Sequence, residues 1–333
     1  MINMRKAVLI FLSFGVAVTP LYGGIAEDVE TARADVTADM LEVSQFVNDQ
    51  IVEGLAFNAG AGNAMSADVI QFPGFGLGFS LGAAIWPIDA GKFQALDLRT
   101  IETSSASKLD MPDNLGMING TGHVRVGLPF DFDISARFGE ASFSADEGNA
   151  DTDVENTVWG VEVRRRLLGG MWTNIFYPDI AVCVSFDAAT GTMERTERYE
   201  DIRNEVYAGT AYTQEIAADT RWRTEWNVQN IAAKAMISKT FLIITPFLGL
   251  GVNKHTGDVE TDIRTSGQLS LESSFSNATT LNLTSKSDKD AQDTQVRLMA
   301  GFELKILLLR AGFSGEFAGD NKSYHGFVRL QFR

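Results

Sequence analysis

The feature that most constrains this chain is an alternation of apolar with small or polar residues, which recurs from residue 74 onward. Between Gly74 and Ile85, the odd-numbered residues are apolar and the even-numbered residues are glycine, serine or alanine. Successive side chains of a β-strand point to opposite faces, so this period of two predicts strands with one apolar face. The pattern predicts ten strands, at 74–86, 123–128, 132–138, 159–164, 180–186, 231–237, 242–252, 296–305, 309–317 and 324–332.

The connections between these strands alternate in length. Short links lie near 129–131, 169–174, 239–240 and 307–308, and long polar links near 87–116, 144–154, 188–222 and 255–292, with 319–323 as a short exception. Short turns at one end and long loops at the other are typical of outer-membrane barrels. A soluble β-sandwich has the same alternation, but several strands are long enough to cross a bilayer and the last one carries a penultimate aromatic residue, Phe332. We therefore expect an all-β fold, a transmembrane antiparallel β-barrel of about 10 strands (range 8–14).

The N-terminus has the pattern of an export signal. Arg5 and Lys6 precede an apolar run at 7–18, and Pro20 and the small residues up to Ala26 follow it. The run is too short for a comfortable membrane span, which favours a cleaved signal peptide over an uncleaved anchor. We expect a signal peptide at 1–26 and a location in the bacterial cell outer membrane.

A change of period separates an N-terminal segment from the barrel. Apolar residues recur at three- and four-residue steps over 27–56, which predicts an amphipathic helix with eight acidic residues and one base, Arg33. The predicted domains are the signal peptide, an acidic helix and plug at 27–70, and the transmembrane barrel at 71–333.

Strand parity also predicts a charged inner wall. The acids that point inward are Asp133, Glu162, Glu303 and Glu316, and eight bases share their face. The predicted basic wall, a candidate binding surface, consists of Arg125, Arg137, Arg164, Lys234, Arg297, Lys305, Arg310 and Arg329. Because charges inside a low-dielectric wall need partners, one hypothesis is that the acidic helix folds into or across the periplasmic mouth and pairs with these bases. The alternative is that the wall charges pair with each other and the helix lies outside the lumen.

Two stretches resemble known proteins. The sequence FNAGAGNAMSAD at 57–68, between a helix and a glycine-alternating strand, is similar to the start of barrels in the long-chain fatty-acid transporter superfamily. The segments 238–252 and 297–332 resemble uncharacterised bacterial outer-membrane proteins. The transporter family's Asn-Pro-Ala signature is absent here, and Phe72-Pro73-Gly74 is the nearest equivalent. The resemblance implies a barrel with an N-terminal plug more strongly than it implies fatty-acid transport.

Composition narrows the function. A formal net charge of −15 argues against nucleic-acid partners. The three histidines, His123, His255 and His325, are far apart in sequence, and no enzyme motif is recognisable. We therefore expect no enzyme, no cofactor and no metal. The leading expectation is a narrow channel or transporter for a small hydrophobic or amphipathic molecule, in contact with outer-membrane lipids and dependent on barrel-assembly machinery. The alternatives are a non-transporting protein that binds a partner or ligand through its long external loops and, less favoured, an outer-membrane enzyme.

Overall fold

A computed structural model describes residues 27–98, 113–146, 148, 150–169, 177–207, 210–272 and 277–332. The predicted signal peptide lies outside the described residues. Two helices are present in the described part, α1 (Glu27–Ala59) and the short α2 (Ala90–Gln94), so the helix predicted over 27–56 is confirmed. Within the described residues, no helix is both long and apolar enough to cross a lipid bilayer.

Eleven strands make up the rest of the fold. They are β1 (Phe75–Pro87), β2 (Asn114–Leu128), β3 (Phe132–Asp146), β4 (Ala150–Leu168), β5 (Asp179–Tyr207), β6 (Thr210–Ser238), β7 (Ile244–Glu272), β8 (Asn277–Asp290), β9 (Asp293–Ile306), β10 (Leu309–Ala318) and β11 (Asn321–Phe332).

The strands close into an antiparallel ring. Strand β1 pairs with both β2 and β11, and β6 pairs with β7, so no gap is left between the first and last strands. One half of β7 pairs with β9 and its other half with β8, because β8 and β9 are a single strand interrupted at Ala291-Gln292. With β8 and β9 counted as one strand, the barrel has ten strands, which agrees with the predicted count of about ten.

Each of the ten predicted strands overlaps an observed strand, but three predicted long loops are wrong. The segment 144–154 belongs mostly to β3 and β4, 188–222 to β5 and β6, and 255–292 to β7 and β8. Their residues are polar because these strands continue beyond the apolar part of the barrel, and polarity alone does not distinguish such an extension from a loop. We use "extended end" for the end where β5–β8 project and "terminal end" for the opposite end, where β1 begins and β11 stops.

The outer surface of the barrel is apolar and its inner surface is polar. On β7, Leu248, Leu250 and Val252 have 57, 56 and 49% of their surface exposed on the outside. On β11, Val328 and Leu330 are exposed in the same way, while Arg329 between them is 2% exposed. Alternation therefore puts an apolar band outside and the charged residues inside, as a bilayer-spanning barrel requires.

Candidate functional site

The lumen is occupied by the chain itself. Residues 57–70, which we name the lumen segment, comprise the last residues of α1 and the irregular stretch after it, and they run from the extended end toward the terminal end. At the extended-end half of β2, Asn119 Nδ2 donates to Asn58 Oδ1. At the terminal end, Ile70 N donates to Asp133 near the start of β3 at 2.9 Å. A void of about 10 Å³ remains beside the segment, which is about the space of one water molecule.

Buried arginines hold the lumen segment by its backbone. Arg137 donates to the carbonyl oxygens of Ala59 and Ala61, and Arg164 donates to that of Ser66 at 2.6 Å. The remaining contacts of this kind are Arg125 to Asp68 O at 3.2 Å, Arg166 to Val69 O at 2.7 Å and Arg297 to Phe57 O at 3.0 Å. Backbone oxygens at the end of a helix, and in the irregular stretch that follows it, need donors when buried, and five guanidinium groups supply them.

The same arginines are paired with carboxylates. Arg137 lies 2.9 Å from Asp187 and Arg297 lies 2.9 Å from Glu316. All eight bases of the predicted wall have a carboxylate partner on the wall or on Asp68 of the lumen segment. The other pairs are Arg125 with Asp133, Arg164 and Lys234 with Glu162, Lys305 with Asp68, Arg310 with Asp68 and Glu303, and Arg329 with Glu303.

This arrangement corrects the hypothesis about the acidic helix. Helix α1 does lie inside the sheet, but toward the extended end, beyond the basic wall. Its Asp49 pairs with Lys289 of β8 at 2.8 Å, outside the basic wall. Seven of the eight wall bases pair with wall acids, as the alternative stated, and Lys305 pairs with Asp68 of the lumen segment, which lies within the wall. The predicted plug region 27–70 thus divides into a helix on the extended-end side of the wall and the lumen segment within the wall.

Helix α1 packs against the concave side of the extension. Val47 is fully buried, and Asn48 donates to Ser287 Oγ at 2.7 Å and accepts from Thr261 Oγ1 at 2.6 Å. Trp222 and Trp226 point inward and join this apolar core. Their strand extends past the apolar band, where inward apolar residues face the helix.

Three important residues escaped the sequence analysis. Asp187 lies one position past the predicted end of its strand, and Asp68 lies in a segment without periodicity, so strand parity reached neither. Arg166 is also inward, with 9% of its surface exposed, and it contacts Val69 O. Alternation continued by two residues from Arg164 would have assigned Arg166 to the lumen.

The histidines behave as polar residues of the wall. His123 and His325 are buried on the two neighbours of β1, at 6 and 2% exposure. The ring of His325 lies beside Gly62, whose φ of +84° suits glycine. Among the described residues, no group of three or more His, Cys, Asp or Glu side chains is placed to hold a metal ion.

A larger, half-open cavity of about 670 Å³ lies between α1 and the junction of β8 with β9. We name it the mouth cavity, because it lies at the extended end, above the lumen segment. Its walls combine carboxylates of α1 with apolar side chains that include Phe46 and Val52. This volume is in the range of about 300–1,000 Å³ that small-molecule sites occupy.

Closure of the sheet, the apolar outer band and the charged inner wall define a transmembrane β-barrel of the bacterial outer-membrane class. The location that the sequence predicted is therefore confirmed at the level of this class. The chain belongs to DUF6588, a family of unknown function, which matches residues 116–326, from β2 to β11.

Comparisons of other kinds add little. No curated protein matches the sequence. The translocator domain of the autotransporter NalP from Neisseria meningitidis is 8% identical, with 92% of this chain and 98% of that chain covered and a TM-score of 0.31. The outer membrane protease OmpT from Escherichia coli is 8% identical, with 80 and 99% covered and a TM-score of 0.36. A Pseudomonas aeruginosa FadL homologue is 8% identical, with 78 and 90% covered and a TM-score of 0.26. Similarities this weak carry no conclusion about activity.

Proposed function

We propose that this protein is a narrow outer-membrane channel or transporter for a small hydrophobic or amphipathic molecule, closed by the lumen segment until that segment moves. The observation that carries the proposal is the mode of closure. The lumen segment is held by side chains of the wall that bind its backbone oxygens. It does not pair with the wall as a β-strand.

The contacts of the lumen segment would allow it to leave the lumen and open the barrel. The arginines that bind it have carboxylate partners on the wall, such as Asp187 for Arg137 and Glu162 for Arg164. When the lumen segment leaves, these arginines keep their carboxylate partners. Lys305 alone among the eight wall bases loses its carboxylate, because its partner is Asp68 of the lumen segment. The resemblance of 57–68 to the start of barrels in the fatty-acid transporter superfamily supports closure by an N-terminal plug more than it supports transport.

Two deletions test the proposal. Removing residues 27–70 from the exported chain deletes both the helix and the lumen segment, and we expect discrete single-channel conductance in planar bilayers. Removing only 27–56 keeps the lumen segment and serves as the matched control, which we expect to stay closed. Heat-modifiable gel mobility shows whether each variant has formed a barrel.

A folded 27–70 deletion with no conductance would contradict transport. That outcome would favour the second candidate, a non-transporting protein that binds a partner or ligand. The observation in favour of this candidate is the extension, since β5–β8 carry a polar surface beyond the apolar band. Catalysis forms no part of either proposal.

A further inference from the structure

The mouth cavity has an unbalanced charge. Five carboxylates line it, against the amines of Lys92 and Lys289. Three of the carboxylates are on α1 and two flank the interruption between β8 and β9; they are Glu42, Asp49, Glu53, Asp290 and Asp293. Lys289 is already engaged, because it pairs with Asp49 at 2.8 Å and this hydrogen bond raises the pKa of the amine. The surplus of negative charge therefore faces the cavity.

The inner end of the cavity contains a buried polar side chain that is only partly satisfied. His255 is 1% exposed and lines the cavity, and Gln295 on the same wall can form one hydrogen bond with its ring. The other ring nitrogen of His255 has no hydrogen-bond partner in the structure. Buried polar atoms are nearly always satisfied, so this nitrogen marks a place where a ligand would supply a hydrogen bond.

Apolar residues complete the wall. Phe46, Val52 and Leu96 line the cavity beside the carboxylates, and the ring of Phe46 is fixed by Phe93 of α2 at 5.3 Å between centroids. A ligand that matches these walls has an apolar body, a positive charge, and nitrogen-bound hydrogens or other polar groups that can reach His255.

We propose that the mouth cavity is a binding site for an amphipathic organic cation. This inference rests on the proposed function only where the bound molecule is taken to be cargo, since binding itself is measured without transport. The cation would lie between the acidic face of α1 and the β8–β9 junction, with its charge near Glu42 and Glu53.

The test uses rhodamine 6G, an amphipathic cation with N–H donors, and fluorescence anisotropy of the full chain in non-ionic detergent micelles. The variant Glu42→Gln with Glu53→Gln removes two charges from the cavity and is expected to bind the dye about tenfold more weakly. His255→Phe keeps a ring in place but removes both nitrogens, and we expect binding to weaken about threefold.

The matched control is Asp151→Asn with Asp153→Asn, which removes the same charge from exposed positions on β4 at the same end. We expect it to bind like the parent chain. Fluorescein, an anion of similar shape, is expected not to bind. The site is refuted if the cavity variant and the β4 control bind rhodamine 6G equally, or if fluorescein binds as tightly. Loss of binding in the cavity variant, with no conductance from the 27–70 deletion, would support the site and contradict transport.

Discussion

At the scale of single residues, the lumen depends on the shape of the arginine side chain. A guanidinium group has five donors in a plane, so it can bind a carboxylate and a backbone oxygen together, which lysine does less well. Arg137 does this with Asp187 and with two carbonyls of the lumen segment. Strand parity predicted that these arginines point inward. It could not predict their partners. Every residue has a backbone oxygen, so the residue type does not show which oxygen accepts the hydrogen bond.

Gly54 shows a second residue-scale constraint. A Cβ added at this helical position would lie 2.1 Å from Cδ2 of Trp86. Alanine normally stabilises a helix by up to about 1 kcal/mol relative to glycine, but here the clash should dominate. We expect Gly54→Ala to lower the free energy of unfolding by about 1–3 kcal/mol, measured by urea unfolding followed by tryptophan fluorescence.

Gly122→Ala is the control for that prediction, since an added Cβ there has its nearest contact at 3.8 Å. It should change stability by less than about 0.5 kcal/mol. If Gly54→Ala were as stable as the parent chain, α1 would not be packed against Trp86.

At the scale of elements, α1 is held mainly by one face. Val47 is 0% exposed in the core beneath the helix, whereas Leu41 is 37% exposed. The acidic composition of α1 was readily visible in the sequence, and it led to the hypothesis of charge pairing. The structure shows that apolar packing on β6–β8 fixes the helix, and this was hidden because those strands looked like polar loops.

The two faces of α1 should respond differently to the same change. Val47→Ser buries a hydroxyl in an apolar site and is expected to cost about 2–3 kcal/mol. Hydrogen exchange read by mass spectrometry should then show faster exchange across 40–56. Leu41→Ser is the matched substitution on the exposed side, and exchange there should stay close to that of the parent chain. Equal effects of the two variants would contradict the docking of α1.

At the scale of the whole molecule, the apolar band decides where the barrel sits. Strand alternation predicted this band well, because outward apolar positions such as Leu250 and Val252 follow the period of two without interruption. The sequence did not reveal how far the strands continue beyond it, since outside the membrane neither face of a strand has to be apolar.

One strand contains both environments at positions of the same parity. Leu250 is 56% exposed within the band, and Thr256 is exposed six residues farther along β7. We expect Leu250→Arg to lower the free energy of unfolding in lipid vesicles by about 2–4 kcal/mol, as a charge near the middle of a bilayer does.

Thr256→Arg should change that free energy by less than about 1 kcal/mol, because the side chain lies at or beyond the edge of the bilayer. Urea titration in vesicles gives both values. A similar loss at the two positions would mean that the band is wider than the structure indicates.

The path of the lumen segment has a consequence for assembly. The chain enters the ring at the extended end, leaves it at the terminal end and then begins β1, whose pairing with β11 closes the ring. A closed ring can be threaded afterward only by drawing a free end through it, and that end carries the 33 residues of α1. The simplest order of events is therefore that the lumen segment is in place before β1 pairs with β11. The barrel would then assemble around the lumen segment. Its final folding step would be the pairing of β1 with β11, which encloses a segment already inside.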